Sequence, residues 1–146
     1  MENTTTPNTK PSYNILLVDD DQFLLDMYSL KFTNRGHKIS VAHDGAEGLQ
    51  VLRDGATPDM ILLDMVMPKI DGIEFLEAFR KENLSPKTLV AMLTNQGQSS
   101  DIAKAEHYGV SGYIIKATTI PSEVVNEVER IMIDSKNPGF KPTYLL

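Results

Sequence analysis

Five short apolar runs of strand length alternate with five longer amphipathic stretches, and few folds accommodate that order. Asn14–Val18 (NILLV), Lys38–Ala42 (KISVA), Met60–Leu63 (MILL), Thr88–Leu93 (TLVAML) and Gly112–Lys116 (GYIIK) read as strands. Gln22–Asn34, Ala46–Leu52, Gly72–Asn83, Ser99–Tyr108 and Pro121–Asp134 read as helices. Phe23, Leu24, Met27 and Leu30 mark the apolar stripe of the first helix, with Phe23 taken as core; Ile73, Leu76 and Phe79 mark that of the third. Gly55 and Pro58 end the second helix, Gly109 stops the fourth, and Pro121 suits the first turn of the fifth. Strands that read as unbroken apolar runs are covered on both faces. Strict alternation with helices therefore implies an α/β fold, a doubly wound parallel sheet with right-handed crossovers.

The ends of the chain are of a different character. Residues 1–12 (MENTTTPNTKPS) are polar, contain two prolines and read as a disordered lead-in. Residues 135–146 (SKNPGFKPTYLL) read as a tail after the last helix, leaving 13–134 as the ordered domain. No run of about 18 apolar residues exists to span a membrane, and the N-terminus lacks the apolar stretch of a signal peptide. Cysteine is absent, which removes disulfides and thiolate chemistry and fits a cytoplasmic setting. A net charge of −6 without dense runs of Lys or Arg argues against a nucleic-acid partner.

In doubly wound sheets, ligands bind beyond the carboxyl ends of the strands. The residues there are Asp19, Asp20 and Asp21 after the first strand, Asp64 after the third, Thr94 after the fourth and Lys116 at the end of the fifth. Each has an ordinary explanation alone: a helix N-cap for Asp21, a turn residue, a loop hydroxyl, a solvated charge. Together they say more. In the flavodoxin-like strand order the first and third strands are neighbours, so Asp19, Asp20 and Asp64 converge. Three carboxylates that close repel one another, and a hard cation with oxygen ligands, Mg²⁺, relieves the repulsion. An ammonium from Lys116 and a hydroxyl from Thr94 complete a set suited to phosphoryl transfer, in which an aspartate can be the nucleophile.

The stretches LLVDDDQ, ILLDMVMPKIDG, AMLTNQG and GYIIKA resemble the signature segments of bacterial response-regulator receiver domains, over about Tyr13 to Asp134. The resemblance implies a flavodoxin-like five-stranded sheet of order 2-1-3-4-5 with five helices. It implies that Asp19 and Asp20 hold Mg²⁺ together with Asp64 and the backbone carbonyl of Val66. It makes Asp64 the phosphate acceptor, Thr94 and Lys116 the groups that engage the phosphoryl oxygens, and Tyr113 the aromatic that moves with Thr94. Pro68 and Gly72 match the loop that leads into the third helix. The implied partners are a histidine kinase or histidine phosphotransfer protein, and a downstream protein or a second copy docking on the fourth helix, fifth strand and fifth helix. The domain is then a switch rather than an enzyme with an outside substrate.

Other readings fit less well. A haloacid-dehalogenase-like phosphatase places a second Asp two residues after the nucleophile, where this chain has Val66. A flavodoxin carries a Ser/Thr/Gly-rich phosphate loop after the first strand, where this chain has three aspartates. A scaffold-only pseudo-receiver has lost part of the acidic set, and here all of it is present. No helix-turn-helix pattern follows the fifth helix, which fits a stand-alone regulator or one part of a longer protein. One departure from the family is Ala117, where proline usually follows the lysine. A cis bond before Ala costs roughly 2.5–4 kcal/mol, so a trans Lys116–Ala117 peptide is expected. His37, His43 and His107 lack metal-ligand spacing and read as structural or exposed. A long-lived phosphorylated form is also expected, from apolar Val66 shielding the acceptor and Gln96 sitting in a loosely held loop beside Gly97.

Overall fold

The computed structural model describes residues 11–146. Nearly all of the expected lead-in, residues 1–10, lies outside the described residues. The strands are β1 (Asn14–Val18), β2 (Lys38–Ala42), β3 (Met60–Leu63), β4 (Leu89–Thr94), β5 (Gly112–Ile115) and β6 (Thr143–Leu145). The helices are α1 (Gln22–Asn34), α2 (Gly45–Arg53), α3 (Gly72–Lys81), α4 (Ser99–His107) and α5 (Pro121–Asp134), with a 3₁₀ turn at Lys116–Thr118. The sheet is parallel throughout, in the order β2-β1-β3-β4-β5-β6. This is the expected doubly wound order with one strand more than expected. The added β6 lies inside the segment read as a tail.

Alternate strand residues feed two cores. Leu16, Val18, Ile61, Leu63, Val90 and Met92 meet Leu49, Phe75 and Phe79 on the α2–α3–α4 side. Ile15, Leu17, Leu62, Ala91, Leu93 and Ile114 meet Leu25, Phe32, Val124, Val128 and Ile131 beneath α1 and α5. Two residues of the expected α1 stripe, Phe23 and Leu30, face solvent instead of the core. Phe23 is 74% exposed and Leu30 62%, whereas Leu25, Tyr28 and Phe32 face the sheet. No helix among the described residues is long and apolar enough to cross a membrane.

Aspartates start three of the helices. Asp21, Asp44 and Asp71 each accept from the backbone N–H three residues on, and Glu74 returns the bond to Asp71 N–H in a capping box. Such caps fix where each helix begins, and hence how the loop before it runs past the carboxyl end of the sheet.

Candidate functional site

Register delivers the acidic cluster. Val18 of β1 pairs with Leu63 of β3, so the next residues, Asp19 and Asp64, leave the sheet side by side. Asp64 N–H donates to Val18 C=O at 3.0 Å and Asp19 N–H to Ala42 C=O at 3.1 Å, which extends the ladder one residue past the strand ends. On the other flank Thr94 pairs with Ile115, and Lys116 is the next residue. Lys116 therefore opens the 3₁₀ turn rather than closing the strand. Its link to Ala117 is trans, as the missing proline leads one to expect.

Asp19, Asp20 and Asp64 each bring a carboxylate oxygen within 4.8 Å of the other two. Asp19 and Asp64 are buried and Asp20 is exposed. Lys116 Nζ donates to Asp19 Oδ2 at 2.8 Å and lies 3.6 Å from Asp64 Oδ2. Asp64 Oδ1 accepts from Met65 N–H at 2.8 Å, and Asp19 Oδ1 from Asp21 N–H at 2.9 Å. Three carboxylates against one ammonium leave two uncompensated negative charges at ordinary ionisation. Burial is the largest influence on Asp64 and pushes its carboxyl pKa up. Lys116 opposes this, Asp19 adds to it, and Thr94 and the Met65 N–H oppose it; the net shift is upward. Hard oxygen donors with a double negative excess fit a divalent cation such as Mg²⁺.

The cleft above this cluster is lined by Asp19, Asp20, Asp21, Leu24, Asp64, Val66, Thr94, Asn95, Gln96 and Lys116. All the side chains singled out from the sequence meet there except Tyr113, which is buried in β5. The Tyr113 hydroxyl donates to the Gln96 carbonyl, and burial, then Asp101 and Asp64, push its pKa up to about 12. Gln96 N–H in turn donates to Thr94 Oγ1 at 3.3 Å. Gln96 is thus held at both backbone groups, its N–H by Thr94 and its C=O by Tyr113. The acceptor at Gln96 is main-chain and leaves no mark in residue types. Tyr113 is inward and connected through Gln96 to Thr94.

Gly72 shows why the turn after Asp64 needs glycine. A Cβ there would sit 2.6 Å from Asp64 O and 2.9 Å from Met65 Cα, and Gly72 N–H donates to Met65 C=O at 2.8 Å. The N-terminus of α3 is packed against the backbone of the acceptor candidate, too close for any side chain. Between them Lys69 adopts φ of 71°, a left-handed conformation that closes the loop after Pro68.

A family model described as the response regulator receiver domain matches residues 15–129, and the chain belongs to that family. It is a receiver domain of the kind used in two-component signalling. It is similar to the transcriptional regulatory protein CpxR of Escherichia coli (strain K12), 38% identical over 102 residues, which cover 70% of this chain and 42% of that protein. It is similar also to the transcriptional regulatory protein AfsQ1 of Streptomyces coelicolor, 31% identical over 103 residues, 70% of this chain and 44% of that protein. The chain spans about half the length of the curated relatives it matches. Among solved structures it is similar to the receiver domain of the Francisella response regulator 1452, with 27% identity and a TM-score of 0.75, covering 85% of this chain and 99% of that one.

Proposed function

We propose that the cleft accepts a phosphoryl group on Asp64 in a Mg²⁺-dependent reaction. The observation that carries this is the convergence of Asp19, Asp20 and Asp64 within 4.8 Å, with Lys116 bridging two of them. Asp19, Asp20, Asp64 and the Val66 backbone carbonyl would hold Mg²⁺, which neutralises charge on the phosphoryl oxygens when bound. An Asp64 carboxylate oxygen attacks phosphorus, so that a P–O bond forms as the P–N bond to a donor imidazole breaks. Met65 N–H and Lys116 orient the carboxylate; Lys116 then exchanges its contact with Asp19 for a phosphoryl oxygen. The Thr94 hydroxyl donates to a second oxygen, and the Thr94–Gln96–Tyr113 chain of bonds carries that movement into β5.

The donor is a histidine kinase or a histidine phosphotransfer protein, and the output is a changed surface on α4, β5 and α5 offered to a downstream protein or a second copy. On this reading the domain catalyses only its own phosphorylation and dephosphorylation, in the cytoplasm, without nucleic-acid contacts of its own. The complete acidic set and the unbalanced charge favour it over a scaffold-only role.

Acetyl phosphate with Mg²⁺, followed by borohydride trapping and peptide mass spectrometry, tests the assignment. Label is expected on Asp64 and absent from Asp64→Asn. Label on Asp19 or Asp20 would mean a different nucleophile, and no label at all would support the scaffold.

A further inference from the structure

The edge of β5 is covered by the chain's own C-terminal end. Thr143, Tyr144 and Leu145 pair in parallel with Gly112, Tyr113 and Ile114, and Thr143 N–H donates to Ser111 C=O at 3.1 Å. Leu145 packs on the core beneath α1 and α5. The Tyr144 hydroxyl donates to the Glu106 carboxylate on α4, and Thr118 Oγ1 donates to Leu146 C=O at 3.4 Å. The segment thus lies across β5 and reaches α4.

The attachment is weak for a strand. It is three residues long, at the short end of the usual range, and lies at the edge of the sheet. Tyr144 is 37% exposed and Leu146 61%. The Thr143 hydroxyl is buried against Gly112 without a hydrogen-bond partner, a standing cost to the closed form. Short edge elements with few buried contacts open far below the global unfolding free energy.

We propose that Thr143–Leu146 is a releasable plug, seated in cis on a strand-receiving surface formed by the β5 edge and α4. When it lifts, the β5 edge presents unpaired N–H and C=O groups that accept an extended segment running parallel to β5. The segment it fits best carries a hydroxyl-bearing aromatic opposite Tyr113, within reach of Glu106, and an aliphatic residue opposite Ile114. Any partner engaging this face displaces the plug first. The plug stands whether or not the cleft takes a phosphoryl group, because its contacts involve none of the cleft carboxylates.

Two full-length variants act on it in opposite directions. Thr143→Pro removes the N–H donated to Ser111 and opens the plug, whereas Thr143→Val removes the orphaned hydroxyl at nearly constant shape and tightens it. Hydrogen exchange read by mass spectrometry over residues 110–116 is expected to speed up about tenfold in Thr143→Pro and to slow in Thr143→Val. A labelled peptide of sequence KPTYLL, residues 141–146, is expected to bind Thr143→Pro at least about tenfold more tightly than wild type, the plug being gone. Equal exchange in Thr143→Val and wild type would overturn the proposal even if Thr143→Pro failed to fold, and so would equal peptide binding by folded Thr143→Pro and wild type.

Discussion

Two clusters of interacting polar groups sit in different parts of this molecule, and they differ in whether they are complete. At the α1–α5 interface His37 is buried and stacks on Tyr13; its Nδ1 accepts from Tyr13 N–H at 3.2 Å and its Nε2 lies 2.7 Å from Glu129. The other Glu129 oxygen accepts from Arg35, which also donates to Asn126 at 3.0 Å. The one carboxylate, Glu129, is held between the Arg35 guanidinium and the His37 imidazole. At the carboxyl end of the sheet, three carboxylates face one ammonium. The first cluster satisfies itself and fastens α1 to α5; the second is left short of positive charge. Buried charge persists when it is paired, and an excess of one sign marks a place where a ligand completes the set.

The largest expected effect comes from worsening the imbalance. Lys116→Ala leaves Asp19 and Asp64 buried without their counter-charge and is expected to cost about 3 kcal/mol in the absence of metal. Urea unfolding measures it, and added Mg²⁺ should recover part of the loss. A stability equal to wild type would mean that the cluster is not coupled through Lys116.

Glu129→Ala strips the balanced cluster and is expected to cost about 1–3 kcal/mol, since His37 loses its partner. Mg²⁺ should recover none of it. Recovery there would erase the distinction between the two clusters.

A smaller effect follows from the raised Asp64 pKa. The folded state holds this proton more tightly than the unfolded chain does. The associated stability is therefore fully present below the ordinary carboxylate range and is lost as pH rises through the raised value. Asp64→Asn should accordingly raise the metal-free melting temperature at neutral pH and flatten its dependence on pH above the carboxylate range. A variant less stable than wild type under those conditions would contradict the assigned direction.

The smallest effect on stability belongs to Asp20, which is exposed. Asp20→Asn should change stability by less than about 0.5 kcal/mol. Calorimetry should still find Mg²⁺ binding weakened.

The sequence makes the site legible because strand ends are easily placed in chains of alternating runs. One register pair, Val18 with Leu63, is enough to join Asp19 to Asp64. The inner face of α1 was less legible. Its sequence QFLLDMYSLKF holds two apolar stripes, and Leu25, Tyr28 and Phe32 face the sheet while Phe23 and Leu30 do not. Periodicity alone cannot choose between two stripes; the crossover onto the sheet does. β6 escaped because three residues after Pro142 carry no alternation, and pairing with a strand some thirty residues earlier is purely tertiary. The Gln96 carbonyl that receives Tyr113 belongs to the backbone, which residue types do not reveal.

The unbalanced cluster is most directly tested by fluorine NMR of beryllofluoride, a phosphoryl mimic, added to wild type with and without Mg²⁺. Bound-fluoride resonances are expected only with Mg²⁺ present, and none in Asp64→Asn. Equal binding without Mg²⁺, or binding retained in Asp64→Asn, would contradict this.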